Sequence, residues 1–336
     1  MKAEIAALEK ESIEIAQTLI KDFPNEADPL GLIGMVYSRY DQTAKALEYW
    51  EQALSRAPDR PDLYDAMAAV ALRKGEYEKA VELCRKGLGK SAQRPHLRCQ
   101  LVEALNGLGR TEESLGELLS AIALAPENGE FHRLLGKTYA LLNEHEKART
   151  SYEMAIRLEP RSASAYYGLA GACAKLGMED QSERAMERYE KLHAESMQAQ
   201  RSRSDIAHDA LDCRRILALT CSAAAAVYLG KGRPEKAEPL LRHGAKADPE
   251  NAGCRIQLAQ FLLNANRLPE TVPILQELIA IEPDNALDYL RLAMVYARLD
   301  QFDTAGKTAK KALELAPNNE ECRRVLEQLQ ARRGTP

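Results

Sequence analysis

The 336-residue sequence predicts an all-α solenoid, a row of antiparallel helix pairs stacked side by side, and three observations predict it. Proline recurs at a spacing of 34 residues. Between successive prolines the same small and apolar residue types return at the same positions. Large aromatic anchors are scarce: Phe occurs four times and Trp once in a chain that is 45% hydrophobic, so small residues must fill the interior.

Pro24, Pro58, Pro126, Pro160, Pro249, Pro283 and Pro317 each close a run of apolar and alanine residues. The gaps are 34 residues, apart from one doubled gap and one interruption. Proline lacks the N–H that the next helical turn needs, so it ends the second helix of each repeat. Eight repeats result: 27–60, 61–94, 95–128, 129–162, 163–196, 218–251, 252–285 and 286–319. Position 7 is apolar, from Ile33 and Met67 to Leu292. Position 8 holds Gly34, Ala68, Val102, Gly136, Ala170, Ala225, Ala259 and Ala293, small enough for two helices to approach. Position 20 runs Ala46, Ala80, Ser114, Ala148, Ser182, Ala237, Thr271 and Ala305. Gly75, Gly109, Gly177 and Gly232 stand at position 15, where the first helix ends and a left-handed residue costs least in glycine. One helix pair cannot bury its apolar stripe, and stacking neighbours does.

The apolar residue at 7, small residue at 8, Tyr at 11 (Tyr37, Tyr139, Tyr228, Tyr296), Ala at 20 and Pro at 32 resemble the tetratricopeptide repeat. The resemblance covers 272 of the 336 residues. It implies a right-handed superhelical solenoid whose concave surface is lined by the first helix of each pair, at positions 2, 5, 6, 9, 12 and 13.

The flanks follow the same pattern. Residues 1–26 read as an N-terminal capping half repeat, with Ser12, Ala16 and Leu19 at positions 20, 24 and 27. Residues 320–336 read as a charged C-terminal capping helix and tail, with Cys322, Val325 and Leu329 on one side. Between repeats 1–5 (27–196) and repeats 6–8 (218–319) lies a helical insertion, 197–217, without Pro or Gly. Ser202 and Ser204 mark a break at about 201–204. Ile206, Ala210, Cys213 and Leu217 continue an apolar stripe, which predicts two overlong helices packed as a protruding hairpin. Arg201, Arg203, Arg214 and Arg215 are offset by Asp205, Asp209 and Asp212, so the segment reads as structural rather than as a docking arm.

Several function classes are excluded. A net charge of −4 does not suit a nucleic-acid coat. The longest uncharged run, Ile216 to Gly230, is shorter than the roughly 20 residues that span a bilayer. Seven cysteines without a C-x-x-C read as free thiols of a reducing compartment. With no secretory signal in Met1 to Phe23, the expected location is cytoplasmic, for this chain or for a larger soluble protein containing it. The six histidines are isolated; His96 and Cys99 are three apart, which is two ligands where zinc needs four. No Walker loop, G-x-S-x-G or dinucleotide turn occurs, so no catalytic residue, metal or cofactor is assigned.

The expected function is therefore a non-catalytic protein-interaction scaffold that grips a peptide or helix in its groove. The alternative is the regulatory or substrate-selecting array of a larger enzyme such as a transferase. Self-association through the end faces is left open, although both ends read as capped. Resemblance to the family raises two known binding modes, and both are missing: no three consecutive repeats carry the two-carboxylate clamp at positions 5, 9 and 6, and position 6 has no asparagine ladder. One patch has groove chemistry of its own. Arg133 and Lys137 are cationic on repeat 4, facing Tyr167, Gly168, Gly171 and Lys175 on repeat 5, a setting for an acidic or carboxylate-bearing peptide. Against this, Gly168 and Gly171 also suit close helix crossing, and Arg133 also has Glu103 or Glu130 for a partner. A second, polar candidate is Gln257, Gln260 and Asn264 on repeat 7.

Overall fold

The computed structural model of the chain describes the backbone of residues 2–203 and 206–333 and the side chains of 2–198 and 209–329. Among the described residues there are 18 helices and no strand. Helix α1 spans Lys2–Asp22. The first helices of the repeats are α2 (Ala27–Arg39), α4 (Pro61–Arg73), α6 (Pro95–Gly107), α8 (Gly129–Leu141), α10 (Ala163–Lys175), α12 (Ile206–Gly230), α14 (Ala252–Asn264) and α16 (Ala286–Arg298). The second helices are α3 (Thr43–Arg56), α5 (Tyr77–Lys90), α7 (Thr111–Leu124), α9 (His145–Leu158), α11 (Glu179–Arg203), α13 (Pro234–Ala247), α15 (Leu268–Ile281) and α17 (Phe302–Leu315). Last comes α18 (Glu320–Arg333).

Each first helix ends at position 13 and each second helix begins at position 17, so the helices obey the proline register. Position 15 is left-handed in all eight repeats. Gly75, Gly109, Gly177 and Gly232 have φ of 69° to 72°, and Asp41, Asn143, Asn266 and Asp300 have φ of 56° to 59°. Asp and Asn are the side chains that visit this region most readily after glycine. Several first helices are opened by an asparagine: the side chains of Asn128, Asn251 and Asn285 accept the N–H of Phe131, Gly253 and Leu287. At position 20, Ala46, Ala80, Ala148, Ala237 and Ala305 are wholly enclosed, as are Ala68, Ala170 and Ala293 at position 8.

The chain divides into two compact units, residues 1–42 with 206–336, and residues 43–205. This division parts the two helices of repeat 1, whereas the repeat pattern placed its boundaries around 197–217. In the first unit α1 packs on α2 and, more extensively, along α12. Glu4 pairs with Arg214 and Asp22 with Tyr228, so α1 and α12 run parallel. The Tyr228 hydroxyl donates to Asp22 at 2.6 Å, Lys236 donates to the same oxygen, and Phe23 lies against the Tyr228 ring at 5.5 Å. Hydrogen bonding from Lys236, then from Tyr228, holds the Asp22 carboxyl below its ordinary range.

Residues 1–26 do more than cover the first repeat, because α1 also packs along α12, where Glu4 pairs with Arg214. The α12 stripe of Ala210, Cys213 and Leu217 is buried in the unit that α12 shares with α1, where Cys213 meets Tyr40 and Glu9. The helix of repeat 5 runs to Arg203, into the expected break. Residues 204–205 and the side chains of Arg201, Arg203, Asp205 and Ile206 lie outside the described residues.

Candidate functional site

Helices α8 and α10, backed by α9 and α11, enclose a groove of about 580 Å³ lined by Arg133, Lys137, Tyr167, Gly168, Gly171 and Lys175. All six candidates of repeats 4 and 5 therefore meet at one place, joined by Tyr152, His145, Asn143 and Met186. They do not contribute equally. Arg133 is largely buried and already engaged: its Nε donates to Glu130 at 2.7 Å, and Glu103 lies 3.7 Å away. The Glu130 hydrogen bond is the main reason its pKa is raised. Lys137 and Lys175 are exposed and have no carboxylate partner among the described residues. They supply the available positive charge.

Tyr167 is 59% exposed, unusually open for so large a ring. It is held by Tyr189 of α11 at 5.2 Å between centroids, and Tyr189 in turn stacks on His193 at 5.3 Å. The two glycines have different causes. A Cβ at Gly171 would meet nothing within 4 Å, whereas at Gly168 it would lie 2.2 Å from Cζ of Tyr152. Gly171 leaves open space in the groove, and Gly168 makes room for a ring. Tyr152, absent from the sequence candidates, is enclosed except for its place in the groove wall, and burial pushes its hydroxyl up to about 12.

Gln257, Gln260 and Asn264 line a second groove of about 750 Å³ with Ala226, Leu229, Pro234, Ile256, Phe261 and Ala265. No charged side chain lines it. Ile256 protrudes, Gln260 Nε2 donates to Asn264 Oδ1 at 2.9 Å, and the enclosed Gln257 Oε1 finds no hydrogen-bond partner. The two sets of candidates belong to different compact units and line separate grooves.

His96 Nδ1 lies 2.6 Å from Asp65, and burial pushes the Cys99 thiol up to about 12. All seven cysteines are free. Burial likewise raises Cys84 and Cys221 to about 12 and Cys254 to about 11, far from thiolate chemistry at neutral pH. Among the described residues no group of three or more His, Cys, Asp or Glu has the arrangement of a metal site, and no helix is long and apolar enough to cross a membrane.

Comparison with known proteins adds the following. Four different models of the tetratricopeptide repeat match residues 33–95, 136–177, 228–271 and 289–319. The human Protein O-mannosyl-transferase TMTC1 is 25% identical over 131 residues, covering 38% of this chain and 14% of that protein. Anaphase-promoting complex subunit 3 of Schizosaccharomyces pombe is 20% identical over 298 residues, covering 89% of this chain and 42% of that protein. The chain thus spans less than half the length of either relative. Among solved structures, the crystal structure of MamA aligns with a TM-score of 0.44 at 19% identity, over 49% of this chain and 97% of that one.

Proposed function

The chain belongs to the tetratricopeptide-repeat family, and from that premise we propose that it scaffolds protein interactions by gripping an acidic peptide segment in the α8–α11 groove. One observation carries this reading: Lys137 and Lys175 face a single groove with no carboxylate among the described residues to neutralise them. Tyr167 offers a ring already braced by Tyr189, so an apolar side chain of the ligand lands on a surface that loses little freedom on binding. Gly171 leaves room for ligand backbone. Arg133 acts through Glu130 and Glu103, shaping the wall rather than meeting the ligand.

The test compares wild type with Lys137→Glu/Lys175→Glu. Partner capture at low and moderate salt should fall with the substitutions and with salt, while circular dichroism stays the same. An unchanged set of captured partners would move the site away from this groove. The neutral groove supports a second reading. Its unpartnered Gln257 Oε1 asks for an N–H donor, so Gln257, Gln260 and Asn264 suit an uncharged segment. The similarity to a protein named as a transferase, of which this chain spans 14%, supports the alternative of an array serving a larger enzyme. A catalytic domain encoded in frame beside this sequence would favour that alternative.

A further inference from the structure

Tyr152 stands at position 24 of its repeat. The other repeats place Trp50, Cys84, Leu118, Met186, Leu241, Leu275 and Ala309 there, none of which carries a hydroxyl. In repeat 4 the neighbouring helices have been cut back to receive the ring. A Cβ at Gly136 would lie 2.8 Å from it, and a Cβ at Gly168 would lie 2.2 Å from Cζ and 2.7 Å from the hydroxyl oxygen. Such contacts are closer than atoms tolerate, so both helices need glycine at interior positions where glycine is a poor helix former. A leucine would fill a core position without that demand. The residue is 5% exposed, it lines the groove, and its hydroxyl has no hydrogen-bond partner among the described residues. The hydroxyl oxygen is not among the enclosed polar atoms that lack a partner, so it is open to the groove, and a hydroxyl offered to a groove rather than to the core sets this residue apart from ordinary packing.

On the basic-groove reading above, we infer that Tyr152 is the specificity-determining donor of the site: its hydroxyl hydrogen-bonds one carboxylate oxygen of the ligand, which Lys137 and Lys175 draw in from the rim. The lysines attract negative charge of any kind and lose force in salt. The hydroxyl, on the floor of the groove and fixed by two glycines, selects an acceptor that reaches a set depth. Burial keeps it protonated at neutral pH and therefore a donor. Arg133, the other cation at this depth, is held by Glu130 and Glu103 and does not compete for the ligand.

Tyr152→Phe removes the hydroxyl and keeps the ring, so the fit against Gly136 and Gly168 is preserved and thermal unfolding should match wild type. Three labelled probes of leucine and alanine separate the sources of the carboxylate. The first carries glutamates and an amidated end, the second a free C-terminal carboxylate and no glutamate, and the third neither. The first or second should bind wild type more tightly than the third, and whichever binds names the source. Tyr152→Phe should weaken it about tenfold to a hundredfold, as for one hydrogen bond to a charged group, with its salt dependence kept. Lys137→Met/Lys175→Met should weaken binding and flatten the salt dependence. In protein labelled with carbon-13 at tyrosine Cζ, the resonance missing from Tyr152→Phe should shift on addition of that probe. If the lysine variant weakens binding and Tyr152→Phe does not, the inference fails and the groove reading stands. If no carboxylate probe outbinds the third, or the lysine variant binds like wild type, both fail.

Discussion

The two grooves are made from equivalent helix positions and filled with opposite chemistry. Positions 5 and 9 carry Arg133 and Lys137 in repeat 4, and Tyr167 and Gly171 in repeat 5; in repeat 7 they carry Ile256 and Gln260. The first helices, α8, α10 and α14, are the same length in all three repeats. Residues at positions 8 and 20, enclosed between helices, therefore set the scaffold, while positions 5, 6, 9 and 13 vary freely and set what each groove accepts. One repeat pattern thus holds a groove with free cations and an uncharged groove without altering its packing.

Gly168→Ala should break the contrast most sharply. The added methyl collides with the Tyr152 ring, and overpacking of this kind costs about 1–3 kcal/mol. Urea unfolding should register it in the unit spanning 43–205, and a stability equal to wild type would mean that Tyr152 has another place to go.

Acid should act on the other compact unit. The Asp22 carboxyl lies below its ordinary value of 3.8 in the folded protein. It therefore adds stability above that value, and the contribution is lost as pH falls through its folded pKa. Relative to the intrinsic exchange rate at each pH, amides of α1 should be less protected at pH 3 than at pH 7. Asp22→Asn should remove this acid response and cost about 1–2 kcal/mol at neutral pH, as loss of charged hydrogen bonds does. Acid exchange of α1 unchanged by Asp22→Asn would assign its protection to Ala16 and Leu19 alone.

Binding separates the grooves next. Lys137→Glu/Lys175→Glu should weaken an acidic peptide at least tenfold, about 1.4 kcal/mol, with no change in any ligand of the neutral groove. The smallest effects concern stability. Gln257→Leu removes an enclosed acceptor that has no partner, so unfolding should be unchanged or shifted upward by about 1 kcal/mol at most. Gly171→Ala, with nothing within 4 Å to obstruct it, should stabilise α10 by up to about 1 kcal/mol, opposite in sign to Gly168→Ala three residues away.

That pair also marks where sequence reading stops. Period, register and helix ends are legible because each rests on a local cause: proline, small residues at crossings, and glycine at position 15. The remaining turns, at Asp41, Asn143, Asn266 and Asp300, went unread, although these side chains tolerate the same backbone. The grouping of Arg133, Lys137, Tyr167 and Lys175 followed from helix faces alone. Which charges were free did not, since Glu103 and Glu130 were both named as partners for Arg133 and only coordinates show that it engages both. Tyr152 was missed because position 24 reads as core; the available signal was two glycines, Gly136 and Gly168, on the helices either side of an aromatic. The place of α1 was illegible because its partner lies more than 200 residues away and no repeat period reports it.

That distance has a consequence in time. Asp22 and Lys236 are 214 residues apart, and a ribosome adding about 5–20 residues per second needs roughly 10–40 seconds to make the chain between them. Repeats elsewhere find their neighbours within one helix pair of emerging. The first helix is born long before α12, so the flank that α12 will cover must be sheltered by a nascent-chain chaperone or left wet until the sixth repeat appears. Slowed elongation should lengthen that exposed interval in proportion, leaving the repeats of the middle unit to close on their own schedule.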